Sequence, residues 1–247
     1  MKLVHMAAIA TGMIIFVGVA LVAPAFFRSF GHSDPETSVL LAFNVLDNGD
    51  VTSTSAWCRD LSALLDEHQI KAAVFLSGRM AEAAPECVSS FSPSVDIGSQ
   101  TYSYLDIVAV GDYTKALDEV EKGKQVIDRA GNLNSALFRA PYGSTDANIY
   151  SLLNRSGILA DFTYSDHYNK YENGLFVRHE IKSLSGSGAA LDALDNKSPV
   201  PVVINFDNTA QVGRIANLID SLGDSVRFVN ASELTGMDLA GRKSEQP

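Results

Sequence analysis

Short apolar runs alternate with amphipathic stretches along most of the chain. Strands are predicted at Val39 to Phe43, Ala72 to Leu76, Val95 to Gly98, Ala136 to Ala140, Ile158 to Thr163, Phe176 to Ile181, Val200 to Phe206 and Val226 to Val229. Between them, Trp57, Leu61, Leu64 and Leu65 fall on one helical stripe, and Tyr113, Leu117, Val120 and Ile127 on another. Further helices are predicted before Pro85, over Asp146 to Ser156, near Ala189 to Leu194 and over Gln211 to Leu222. Thr52 to Ser55 offer N-cap side chains, and Gly131 suits a C-cap. About seven such alternations, with no long linker, predict parallel strands in an α/β layer or barrel. The polar stretch from Gly236 to the end reads as a loose tail.

The N-terminus follows a different pattern. From Met6 to Phe27 no residue is charged over 22 positions, and roughly 20 helical residues cross a bilayer core. Residues 1–30 therefore read as a transmembrane anchor or a signal peptide, 31–37 as a short linker, and 38–235 as the folded domain. Lys2 precedes the apolar run, so the positive-inside bias puts the domain outside the cytoplasm. Ala23-Pro24-Ala25 fits a signal-cleavage site. The length of the run, and Arg28 close behind it, favour a retained single-pass anchor over secretion after cleavage.

Charge narrows the partners. Taking Lys2 and Arg28 from the 19 basic residues leaves 17 against 29 acids, a net of -12 for the exported part. Such a body has no electrostatic reason to seek nucleic acid or anionic lipid. Export makes Asn154, Asn196 and Asn230, each within an Asn-x-Ser triplet, candidate glycosylation acceptors. It also makes a Cys58–Cys87 disulfide as reasonable as two buried thiols, since sequence cannot supply the distance between them.

In α/β folds chemistry collects at the C-terminal ends of the strands. Here those ends are Asn44 to Asp50, Ser99 to Tyr104, Arg139 to Gly143, Asp161 to His167 and Asn205 to Asp207. Several carry motif-like spacings. Phe138-Arg139-Ala140-Pro141-Tyr142-Gly143 resembles the R-x-P-Y-G motif of the polysaccharide deacetylases, the NodB homology domain of carbohydrate esterase family 4. Asp96 to Asp106 is similar to that family's E-I-G-N-H-T-x-S-H-x-D segment. Leu41-Ala42-Phe43 with Asp47-Asn48-Gly49 resembles its T-F-D-D-G motif, and Val202 to Asp207 stands where its L-L-H-D motif would. Val226 to Leu234 resembles its closing strand and helix start. The order is kept across residues 38–235, and the resemblance implies a distorted (β/α) barrel of about seven parallel strands.

The resemblance also implies a divalent metal held by an Asp and two His, a carboxylate base and an acidic His. This chain departs at each of those places. The two His positions hold Gln100 and Tyr104, and the acid position holds Phe206. Gln is a weak neutral ligand, a neutral phenol keeps its proton, and Phe has none to give. The first motif has two readings. Placed directly after Phe43, its two Asp become Asn44 and Val45; with a small insertion they become Asp47 and Asn48. Either way the second carboxylate, the metal ligand, is missing. No metal is therefore expected, because a catalytic zinc site needs about three protein ligands and an open position for water. A substitute cluster would have to draw on His167, His179, Asp47, Asp166 and Asp207.

Two functional readings follow. In the first, the domain binds glycan, a cell-envelope polysaccharide, without metal-dependent turnover. Tyr104, Tyr142 and Phe206 supply aromatic surface there, with Tyr102, Tyr164, Tyr168 and Tyr171 as further candidates. Asn44, Gln100, Asn205 and Asp207 supply polar groups for hydroxyl rims. In the second, the chain is a divergent hydrolase of N- or O-acetylated polysaccharide. Asp47 is then the base, and Arg139 orients that base or stabilises negative charge.

Overall fold

The computed structural model describes residues 37–163, 170–172, 175–177, 183–185 and 201–241. The apolar run of residues 6–27, the linker up to residue 36, the helix expected near residues 189–194 and Asn196 lie outside the described residues. So do Tyr164, Asp166, His167, Tyr168 and His179. Among the described residues no helix is long and apolar enough to cross a membrane.

The first half of the domain runs β1 (Thr37–Val45), α1 (Val51–Glu67), β2 (Ala72–Leu76), α2 (Gly78–Ala83), α3 (Glu86–Ser89), β3 (Val95–Ser99), α4 (Tyr113–Gly131), β4 (Leu137–Phe138), α5 (Ala147–Arg155) and β5 (Ala160–Asp161). Three short strands follow, β6 (Lys170–Glu172), β7 (Leu175–Val177) and β8 (Ser183–Ser185). The chain closes with β9 (Val202–Asp207), α6 (Val212–Leu222), β10 (Val226–Phe228) and α7 (Ala231–Thr235). The strands pair in the order β6-β7-β5-β4-β3-β2-β1-β9-β8, with β10 joined to the start of β1. Every ladder is parallel except β6 with β7. The result is the distorted (β/α) barrel that the family resemblance implies, one of the two architectures open to the β-α rhythm, with more strands than anticipated because β6 and β8 are too short to show as apolar runs.

Alternation along β1 sorts its side chains into two cores. Val39, Leu41, Phe43 and Val45 face the helices, packing with Trp57, Leu61 and Leu65 of α1 and Ile215 of α6. Leu40 and Ala42 face the barrel interior with Ala73, Phe75, Leu137, Phe162 and Val203. Both faces of β1 are covered, which is why it reads as a continuous apolar run.

Local expectations need four corrections. The N-cap of α1 is Asp50, ahead of Thr52 to Ser55, because its carboxylate is free to accept from the Ser53 amide. The left-handed C-cap of α4 is Asn132 at φ 48°, while Gly131 stays helical. There Gly131 makes room for Leu133, whose Cδ2 lies 2.5 Å from where a Cβ would stand. The segment after Gly236 is pinned as far as Gly241. Leu239 is fully buried, and the Ala136 and Asn134 amides donate to the carbonyls of Leu239 and Gly241. Asn230 is a helix cap: its Oδ1 accepts from the Glu233 amide and its Nδ2 donates to Ser94 O, so its amide is not open for a sugar. Asn154 stays exposed on α5. Cys58 of α1 and Cys87 of α3 form a disulfide, with Cα atoms 5.1 Å apart.

Candidate functional site

The C-terminal ends of β1, β3, β4 and β9 meet at one mouth of the barrel. Register decides which side chains reach it. Asn44 pairs with Asp207, and Phe43 with Phe206, across the β1–β9 ladder. Asn44 is on the interior parity of β1, so Asn205 and Asp207 share its face while Phe206 turns away. Phe206 is therefore in the helix-facing core, stacked on Phe43 at 5.6 Å, with Trp57 edge-on to Phe43 at 6.2 Å. The expectation that Phe206 lines the opening does not match this placement.

Asn44 is the centre of the cluster. Its Oδ1 accepts from Arg139 Nη1 at 2.9 Å and from Gln100 Nε2 at 3.3 Å. Its Nδ2 donates to Asp207 Oδ1 at 3.1 Å. Of the two readings of the first motif, the one that runs directly from Phe43 has Asn44, the residue in this cluster. Val45, next along, is buried among the helix-facing apolar residues. Asp47 lies beyond the strand on an exposed turn, where its Oδ1 accepts from the Gly49 amide 3.0 Å away. Among the described residues it makes no hydrogen bond or ion pair with Asn44, Arg139 or Gln100.

Arg139 is only 2% exposed. It holds its position through Nε donating to Phe162 O at 3.0 Å, and its guanidinium lies 4.1 Å from the centre of the Phe75 ring. Gly98 is what allows Phe75 this room, since a Cβ there would stand 2.7 Å from Phe75 Cδ1. Beneath Arg139 is Asp161, which is 1% exposed and accepts from the amide and hydroxyl of Thr163. Burial pushes its carboxyl up to about 6, with the Thr163 hydrogen bonds and the Arg139 charge acting the other way. Thr163 Oγ1 in turn accepts from the Ala140 amide at 2.7 Å. Asp161 and Thr163 fall in one of the strand-end segments named from the sequence but were given no role there, although a lone carboxylate inside the apolar run Ile158 to Thr163 was a usable signal.

Two aromatic residues form the rim. Tyr104 and Tyr142 meet edge to face with ring centres 5.2 Å apart, and Tyr142 is 73% exposed. Both hold positive φ, 61° and 60°, as does Thr101 at 60°. A left-handed backbone at a non-glycine residue costs on the order of 1 kcal/mol or more and persists where the surroundings impose it. The Tyr104 phenol is held above its usual range, first by burial and then by Tyr142 and Asp207, so it stays neutral. The two rim loops are tied together at Asp106. Its carboxylate takes the Val108 and Ala109 amides and the Ser144 hydroxyl, which lowers its proton affinity.

The polar groups at the mouth are thus the carboxamides of Asn44, Gln100 and Asn205, the neutral Tyr104 phenol and the Asp207 carboxylate, around a buried guanidinium. Among the described residues no group of three or more His, Cys, Asp and Glu side chains stands together. Such a set can hydrogen-bond and stack a polar ring; it offers a cation little to bind.

Comparison with known proteins is consistent with this fold. The profile of the polysaccharide deacetylase family matches residues 31–160. A putative polysaccharide deacetylase from Mycobacterium smegmatis superposes with a TM-score of 0.64 at 18% identity, over 87% of this chain and 96% of that one. The peptidoglycan deacetylase PdaC from Bacillus subtilis gives 0.59 at 15% identity, over 82% and 91%. A CE4 family pseudoenzyme from Bacillus anthracis gives 0.61 at 15% identity, over 81% of this chain and 66% of that one. No curated protein matches. With the barrel in agreement and a family profile that spans more than half of its length, the chain belongs to the polysaccharide deacetylase family.

Proposed function

We propose that this protein is a glycan-binding member of its family, held to the membrane by the segment of residues 6–27 with the barrel outside the cytoplasm, and that it binds polysaccharide without metal-dependent turnover. The observation that carries this reading is the Asn44 carboxamide. It occupies the centre of the mouth with both of its polar atoms in use, on Arg139, Gln100 and Asp207. A divalent metal does not fit there. Its would-be ligands are neutral, and Arg139 presents a fixed cation to the same atom, Asn44 Oδ1. The Tyr104–Tyr142 pair offers apolar ring faces, and the amides and Asp207 offer partners for hydroxyls. The pseudoenzyme of similar fold is in keeping with loss of turnover within one architecture.

The hydrolase alternative requires Asp47 to act as base, and that carboxylate is engaged by its own turn. One experiment separates the two. The purified full-length protein is analysed for bound metal. It is then assayed on acetylated chito-oligosaccharides with added zinc, cobalt or manganese, and titrated calorimetrically with the same sugars. Binding with no acetate release, weakened about threefold to tenfold by Tyr104→Ala, is the expected result. Stoichiometric metal with turnover abolished by Asp47→Asn would overturn it.

A further inference from the structure

The turn that leads from β1 into α1 carries an asparagine followed by a glycine, Asn48-Gly49, and both residues are exposed. Gly49 sits at φ 79°, and a Cβ there would meet nothing within 4 Å, so its backbone nitrogen is approachable. Two sets of contacts converge on this pair. At the amide, the Asp47 carboxylate accepts the Gly49 N–H, with Oδ1 3.0 Å from the nitrogen. At the carboxamide, Asn48 Oδ1 accepts from the Asp50 amide at 2.9 Å and from Thr54 Oγ1 at 3.1 Å.

The Thr54 donor is held in place by tertiary structure. Thr54 is 1% exposed, and its hydroxyl also accepts from Asn208 Nδ2 at 3.4 Å. A hydroxyl has a single proton to give, so that proton is left for Asn48. Asn208 is itself clamped at the end of β9, where its Nδ2 donates to Leu46 O and its Oδ1 accepts from the Leu46 amide. The turn thus has an acceptor on a nitrogen that can attack and two fixed donors on the oxygen where negative charge would develop.

We propose that Asn48 is a self-modification site, at which the fold promotes intramolecular deamidation by the Gly49 nitrogen. The Gly49 N–H passes its proton to the Asp47 carboxylate as the nitrogen bonds to Asn48 Cγ. The carbonyl electron pair moves onto Oδ1, where the Asp50 amide and the Thr54 hydroxyl hold it. Collapse restores the carbonyl and breaks the Cγ–Nδ2 bond, and Nδ2 leaves as ammonia with the proton from Asp47. Water then opens the cyclic imide at either carbonyl, giving aspartate or isoaspartate, so that one water is consumed for each ammonia released. The aspartate product adds a negative charge beside Asp47 and Asp50. The isoaspartate product puts an extra methylene into the main chain just ahead of Asp50, the N-cap of α1. None of this depends on the glycan-binding reading above.

The rate in the folded protein against the rate in the unfolded chain tests it. Full-length protein is incubated at neutral pH, either native or unfolded in guanidinium chloride. It is then digested, and the Asn48 peptide is followed by mass spectrometry and by enzymatic isoaspartate methylation. Asn48 should convert faster in the native protein than in the unfolded chain. Thr54→Val and Asp47→Ser should each slow the native conversion about tenfold and leave the unfolded rate unchanged, while Thr54→Ser, which keeps the hydroxyl, retains the native rate. Circular dichroism confirms that each variant is folded, and the wild-type ratio decides the matter without them. Conversion that is equal or slower in the native protein, or folded Thr54→Val and Asp47→Ser variants that convert at the wild-type rate, would overturn the proposal.

Discussion

Replacing Asp161 with Asn should make the protein more stable at neutral pH than in its native form, and the gain should vanish in acid. Asp161 is almost wholly buried, and its carboxyl is raised from 3.8 to about 6. The folded state therefore keeps a proton at pH values where the unfolded chain has released it. The associated stability is fully present below about pH 3.8 and is lost as pH rises through about 6. A shift of that size corresponds to roughly 3 kcal/mol at 1.36 kcal/mol per pH unit. The opposing pull of Thr163 and Arg139 is already contained in it. Asn keeps the oxygen that accepts from the Thr163 amide and hydroxyl while removing the charge. Urea denaturation of the full-length protein and of Asp161→Asn, from pH 4.5 to 8, reads the difference directly. Over that range the gap in favour of Asn should widen with pH by about 2 kcal/mol, the first part of the roughly 3 kcal/mol lying below pH 4.5, and level off above pH 7. A gap that stays constant, or that shrinks as pH rises, would refute the argument. It would mean that the ionised carboxylate, through Arg139, stabilises the fold more than burial opposes it.

The remaining predictions concern the same framework. Arg139→Met should cost about 1–3 kcal/mol in chemical denaturation, because it leaves Phe162 O and Asn44 Oδ1 without their guanidinium donor. Arg139→Lys should not restore that loss, since an ammonium lacks the planar fork. Gly123→Ala should destabilise by about 1–3 kcal/mol and perturb the rim loop. Its Cβ would stand 2.5 Å from the Thr101 carbonyl carbon, and near-ultraviolet dichroism of the tyrosines would report the change. Reducing the Cys58–Cys87 bond, which spans a sequence separation of 29, should lower stability by about 2–4 kcal/mol. Thermal melts with and without reductant test that.

Much of the site was legible in advance because it sits at strand ends, and strand ends follow from apolar runs. Asn44, Gln100, Tyr104, Arg139 and Tyr142 are each anticipated, and the structure gathers them at one mouth. Phe206 was misplaced for a simple reason. A motif's position along the chain does not settle which face of a strand a residue takes, and a shift of one residue reverses the face. Asp47 and Asn44 were equally good in sequence because a turn can absorb an insertion. In the fold, Asn44 pairs with Asp207 across β1 and β9, whereas Asp47 lies on the turn beyond the strand.

The chain on its own determined the β-α rhythm, its helical stripes and which residue types stand at the strand ends. Those depend on residue identity and on periods of a few residues. Tertiary structure alone decided that Cys58 and Cys87 meet, that Asp161 lies under Arg139, and that Asn44 links β1 to β3, β4 and β9. Each of these joins groups tens of residues or more apart, and their proximity is set by strand register and helix packing, which local sequence does not encode.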